Sequence, residues 1–136
     1  MNEGVFLDTS AVYAIFDAGD ASHEVAAGAW DSLLRSDTPL HTSNYVLVEL
    51  TALLQSRLGM AAVDALEAYV LPWVQVAWVD EALHAQGTAG LLAALRRDLS
   101  LVDCTSFVVM RRSGLRRAFT LDVHFREQGF EMLPPA

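Results

Sequence analysis

The sequence predicts an α/β domain in which helices pack on both faces of a mainly parallel sheet. Three observations carry this reading. Short apolar runs such as Val5-Phe6-Leu7 alternate along the chain with stretches of helical periodicity. Their side chains are apolar on successive residues, the habit of strands buried on both faces, which is typical of parallel sheets. At 136 residues, 53% of them hydrophobic and with no low-complexity tract, the chain has the length and apolar content of one domain around one core.

Val5-Phe6-Leu7 is the first strand, and Asp8-Thr9-Ser10 can cap the helix that Ala11 to Phe16 begins. A second helix is expected from Asp20 or Ser22 through Trp30 to Leu34, ended by the Asp37-Thr38-Pro39 turn, with a short strand at Leu40 to Thr42. Val46, Leu50, Leu53, Leu54 and Leu58 follow helical spacing from Asn44 to Leu58, with Ser43 or Asn44 as N-cap and Gly59 as stop. Ala61 to Val70 reads as another helix, halted by Pro72, and Val74 to Val79 as a strand. Asp80 caps a helix reaching Arg97. Ser100-Leu101-Val102-Asp103 fits a capping box opening a helix to about Ser113, where Gly114 supplies the left-handed stop. Ala118 to Leu121, ending at Asp122, and Phe130 to Leu133 are the last strands.

Composition narrows the function. The longest apolar runs are broken by charges well before the roughly 18 residues of a membrane span, and nothing marks the chain for export, so a cytoplasmic protein is expected. The single cysteine, Cys104, forms neither an internal disulfide nor a multi-cysteine zinc site. A net charge of −8 argues against a general nucleic-acid coating protein, whose binding depends on neutralising phosphates. All nine cations are arginines, seven of them in the last third, and Arg111, Arg112, Arg116, Arg117 and Arg126 are candidates for holding RNA phosphates; a solvated helix face explains them equally well. The absence of lysine counts against a Walker A loop, a phosphoreceiver and a dehalogenase-type phosphatase.

Four acids stand in telling places. Asp8 and Asp122 follow apolar strands, where α/β sheets bind ligands outside the carboxyl ends of their strands. Helix capping alone would account for Asp8, whereas no obvious helix follows Asp122. Glu49 lies at the shoulder of an apolar helix stripe rather than opposite it. Asp103 sits at the mouth of a helix apolar nearly all round, although the capping box suffices for it. Brought together, carboxylates about 4 Å apart repel by roughly 4 kcal/mol per pair at an effective dielectric of 20, so the group would need a cation. With no cysteine or histidine at the four positions, Mg²⁺ is expected, with Mn²⁺ as a substitute.

The segments VFLDTSAVYAIFD, SNYVLVEL, SLVDCTSFVVM and AFTLDVHFREQGF resemble, in order and spacing, the four acidic motifs of PIN-domain nucleases, from about Val5 to Leu133. The small size resembles the VapC-type toxins of bacterial toxin–antitoxin pairs. The resemblance implies a single PIN-like domain with strand order 3-2-1-4-5, and a ribonuclease whose catalytic and metal-binding residues are Asp8, Glu49, Asp103 and Asp122, supported by the hydroxyls of Ser10 and Thr120. It further implies an RNA substrate, a homodimer, and an antitoxin protein whose peptide lies across the site. His124 is given a structural role, and Trp30, Trp73 and Trp78 are read as core or dimer contacts. The rival readings are a PIN nuclease without an antitoxin, a catalytically silent PIN-like binding module, and a phosphatase using Asp8 as nucleophile.

Overall fold

The computed structural model describes residues 3–135. Five parallel strands form one sheet in the order β3-β2-β1-β4-β5. They are β1 (Val5–Leu7), β2 (Leu40–Ser43), β3 (Val74–Ala77), β4 (Arg117–Phe119) and β5 (Glu131–Leu133). The helices between them are α1 (Thr9–Phe16), α2 (His23–Arg35), α3 (Asn44–Leu58), α4 (Met60–Ala65), α5 (Glu81–Ala94), α6 (Leu101–Ser113) and the four-residue α7 (His124–Glu127).

The two-residue alternation of a strand explains how one sheet serves two cores. Val5 and Leu7 of β1, with Phe119 of β4, point into a cluster with Val12, Ala26, Leu50 and Leu54 from α1, α2 and α3. Phe6 and Ala118 point the other way, onto Cys104, Phe107 and Met110 of α6 and Phe125 of α7. The fully apolar strands seen in the sequence are thus covered on both faces. Trp30 packs 5.9 Å from the Phe119 ring, as a core residue should, but Trp73 and Trp78 are largely exposed. Among the described residues no helix is long and apolar enough to cross a membrane.

Local signals set most boundaries. The Ser43 hydroxyl accepts the Val46 N–H at 3.3 Å to open α3, and both halves of the Ser100/Asp103 capping box are formed. Three expectations needed correction. The helix expected at Ala61 to Val70 is α-helical only to Ala65 and then widens into a π-turn (Leu66–Val70), followed by a 3₁₀ turn (Leu71–Trp73) that contains Pro72 and leads into β3. Helix α5 stops at Ala94, not Arg97, because Leu95 adopts a left-handed backbone (φ 53°). A helix, α7, does follow Asp122, too short to show any periodicity.

α5 and α6 are in tight contact at Gly87. A Cβ there would lie 2.2 Å from the Thr105 Oγ1 and 3.3 Å from its Cα, and Thr105 is wholly buried with no hydrogen-bond partner for its hydroxyl. Gly90, one turn on, would place its Cβ 3.9 Å from that of Cys104, an ordinary contact. Gly87→Ala is therefore expected to destabilise by about 1–3 kcal/mol through overpacking, whereas Gly90→Ala stabilises by about 0.5–1 kcal/mol by relieving the glycine entropy cost. Urea unfolding of the two variants checks the opposite signs.

Candidate functional site

The strand order reverses between β1 and β4, and the chain places acids at that switch point. Asp8 continues β1 by donating its N–H to the Phe119 carbonyl at 3.0 Å. The residue is 4% exposed. Although Asp8 occupies the N-cap position of α1, its carboxylate makes no cap hydrogen bond. Instead Oδ2 accepts from the Ser10 and Thr120 hydroxyls, both at 2.8 Å. Those hydroxyls accept in turn from the N–H groups of Leu121 (2.9 Å) and Asp122 (3.0 Å). Each hydroxyl has one hydrogen to give, so with a backbone donor behind it that hydrogen points at Asp8. The capping account of Asp8 is thereby set aside.

Asp103 has two functions in the geometry. Its Oδ2 accepts the Ser100 N–H at 3.0 Å within the capping box, and the residue also faces Asp122. One ligating atom from each of Asp103, Asp122 and His124 lies within 4.8 Å of the others. Asp8 stands beside this group. Burial pushes its carboxyl up to about 6; the two hydroxyl bonds oppose that rise, and the charges of Asp103 and Asp122 add to it. Burial likewise raises Asp103, with the Ser100 contacts opposing and Asp122 reinforcing. One buried carboxylate beside two partly buried ones marks a place that favours positive charge, and their hard oxygen donors fit a divalent cation.

His124 belongs to this group more closely than its structural assignment foresaw. Its Nδ1 lies 2.8 Å from Asp122 Oδ1, though not along a hydrogen-bonding direction, and its Nε2 is 3.0 Å from Asp98 Oδ2. Burial alone would lower the imidazole pKa, but Asp98 and Asp122 together outweigh it and the net shift is upward. The Asp-x-His spacing was the available signal; the partner Asp98, 26 residues earlier, was not visible locally.

Glu49 is exposed on the second turn of α3, outside the group of three, on a helix that starts where β2 ends at this same sheet edge. The arginines are dispersed. Arg117 opens β4 at the opposite edge from Asp122, and Arg116 and Arg117 both pair with Glu3. Arg111 bonds the carbonyl and side-chain oxygens of Gln128 at 3.2 and 2.8 Å and lies over the Phe130 ring. Arg112 is exposed in the last turn of α6, and Arg126 is exposed on α7.

Comparison with known proteins places this geometry. The family model described as "PIN domain" matches residues 5–131. The chain is 38% identical over 132 residues, 96% of its own length and 98% of the relative's, to the 23S rRNA-specific endonuclease VapC20 of Mycobacterium tuberculosis. The crystal structure of that protein, described as a sarcin-ricin loop cleaving toxin, superposes with a TM-score of 0.82 over 93% of this chain and 96% of the other. PAE2754 from Pyrobaculum aerophilum, at 20% identity and a TM-score of 0.68 over 98% and 92% of the two chains, shares the fold.

Proposed function

Because this chain belongs to the PIN-domain family, we propose that it is a Mg²⁺-dependent endoribonuclease acting on 23S ribosomal RNA, and the toxin of a toxin–antitoxin pair. The observation that carries the chemistry is the burial of Asp8 at the switch point, within electrostatic reach of Asp103 and Asp122. The substrate class rests on the near full-length relative, whose target is ribosomal.

In this reading Asp8, Asp103 and Asp122, joined by Glu49 from α3, hold the cation. When bound, a divalent ion supplies Lewis acidity at the phosphodiester and acidifies a water for in-line attack. The residues of the chain do the rest. Ser10 and Thr120 fix the direction of the Asp8 carboxylate, and the Ser100 cap fixes that of Asp103. Charge neutralisation by the ion lets an acidic protein approach RNA. Exposed Arg97 and Arg126, near Asp98 and His124 in the chain, are better placed for flanking phosphates than Arg116 and Arg117, which face Glu3. Action in the cytoplasm, assembly as a homodimer and inhibition by an antitoxin peptide over the site belong to the same proposal.

The test is incubation of the purified protein with intact ribosomes and with a hairpin of the loop cut by the relative, in Mg²⁺, Mn²⁺ or chelator, followed by mapping of RNA ends. A single metal-dependent cut in that loop is expected. Cleavage spread over unrelated RNAs would remove the ribosomal assignment, and metal-independent cleavage or none would remove the nuclease mechanism.

A further inference from the structure

The loop between α5 and α6 carries a chain of charges that ends on Asp122. Left-handed Leu95 closes α5, and beyond it Arg96 grips Asp98 with two parallel hydrogen bonds, Nε to Oδ1 at 3.0 Å and Nη2 to Oδ2 at 2.7 Å. The third arm of the guanidinium, Nη1, donates to Glu127 Oε2 at 3.0 Å and so ties the loop to α7. Asp98 Oδ2 meets His124 Nε2 at 3.0 Å. On the far side of that ring, buried Nδ1 stands 2.8 Å from Asp122 Oδ1, which also accepts the His124 backbone N–H at 2.9 Å.

Arg96 and Asp98 are roughly half exposed, and exposed ion pairs add little to stability. A forked pair does fix orientation, because both guanidinium bonds must be satisfied in one plane. Here the fixed carboxylate faces an imidazole whose other edge lies against a member of the acidic group. We propose that Arg96 and Asp98 are positioning residues: they hold the His124 ring, and through it the Asp122 carboxylate, in the orientation that receives the cation. The proposal rests on the reading of this centre as a divalent-metal site. Partners standing behind a metal ligand are commonly worth about 10–100-fold in metal affinity, so the effect is measurable.

Calorimetric titration with Mn²⁺ alone, on the full chain, tests it. Asp98→Ala is expected to weaken binding by at least about tenfold and Arg96→Ala to weaken it in the same direction. Arg35→Ala, which breaks an exposed pair with Asp31 on α2, should leave binding unchanged. Because Asp98 acts through the imidazole, Asp98→Ala should add nothing in a His124→Ala background. A metal-free readout accompanies these: the His124 amide, bonded to Asp122 Oδ1, should exchange its hydrogen about tenfold faster in Asp98→Ala at unchanged melting temperature. The idea is overturned if Asp98→Ala binds Mn²⁺ within twofold of wild type, if it weakens binding equally without His124, or if it lowers only the melting temperature. Should the wild type bind no Mn²⁺, the metal reading itself fails, and the exchange rate decides the positioning claim alone, unaltered exchange refuting it.

Discussion

Asparagine in place of Asp8, Asp103 or Asp122, one at a time, is expected to lower metal-dependent RNA cleavage by at least about 100-fold while each variant stays folded. The bound follows from rank: losing a partner behind a ligand commonly costs about 10–100-fold, and losing a ligand removes more. Folding should survive because the amide keeps an acceptor oxygen at each site. In Asp8→Asn that oxygen takes the Ser10 and Thr120 hydroxyls now bonded to Oδ2. In Asp103→Asn it still accepts the Ser100 N–H, so α6 keeps its capping box. Initial rates on the ribosomal hairpin at saturating Mg²⁺, with circular dichroism as the folding check, measure the effect. Any one of the three retaining half of wild-type activity would take that residue out of the metal set. Glu49→Gln belongs in the same series, and a loss of the same order would seat Glu49 with the other three in the working enzyme.

Much of this site was legible because its parts are locally encoded. The apolar triplet before Asp8 announces a buried strand, and Ser100 with Asp103 announces a helix start whatever the rest of the chain does. What these local signals could not decide was whether each acid had any role beyond its cap. That answer is tertiary: Asp8 leaves its cap unmade and turns to Thr120, 112 residues away, whereas Asp103 keeps its cap and joins the group as well.

The arginines show the opposite limit. Seven cations in the last third look like one patch in sequence, yet α6 runs from the acidic edge of the sheet to the far edge. Asp103 at its start and Arg111 and Arg112 at its end are therefore separated by most of a 13-residue helix, about 1.5 Å per residue. Glu3 and Gln128 then engage Arg116, Arg117 and Arg111 for reasons no local window contains. The same holds for α7. Four residues give no periodicity, and their positions follow from Phe125 docking against Phe107 and Phe130, which seats His124 beside Asp122.

Without divalent metal, Asp8→Asn is expected to be more stable than wild type at pH 7 by up to about 3 kcal/mol, a gain of roughly 10 °C in melting temperature for a chain of this size. The Asp8 carboxyl titrates near 6 in the fold against 3.8 as a free side chain, chiefly because it is buried. Between those values the folded protein holds a proton that the unfolded chain has released, so stability falls as pH rises through the window. Above about pH 6 the whole penalty of the buried charge remains, and below about pH 4 none does. Asparagine carries no charge at any pH, so the stability difference between variant and wild type should grow from pH 4 to 6 and then level. Asparagine also removes the repulsion that the Asp8 carboxylate meets from the charges of Asp103 and Asp122. Mn²⁺ at about a thousandfold excess over Kd should reverse the order, since only the wild type then gains about 4.1 kcal/mol. Thermal melts of both proteins from pH 4 to 8, with chelator and with Mn²⁺, decide it. A variant less stable than wild type throughout, with no pH-dependent gap, would make Asp8 a structural acid.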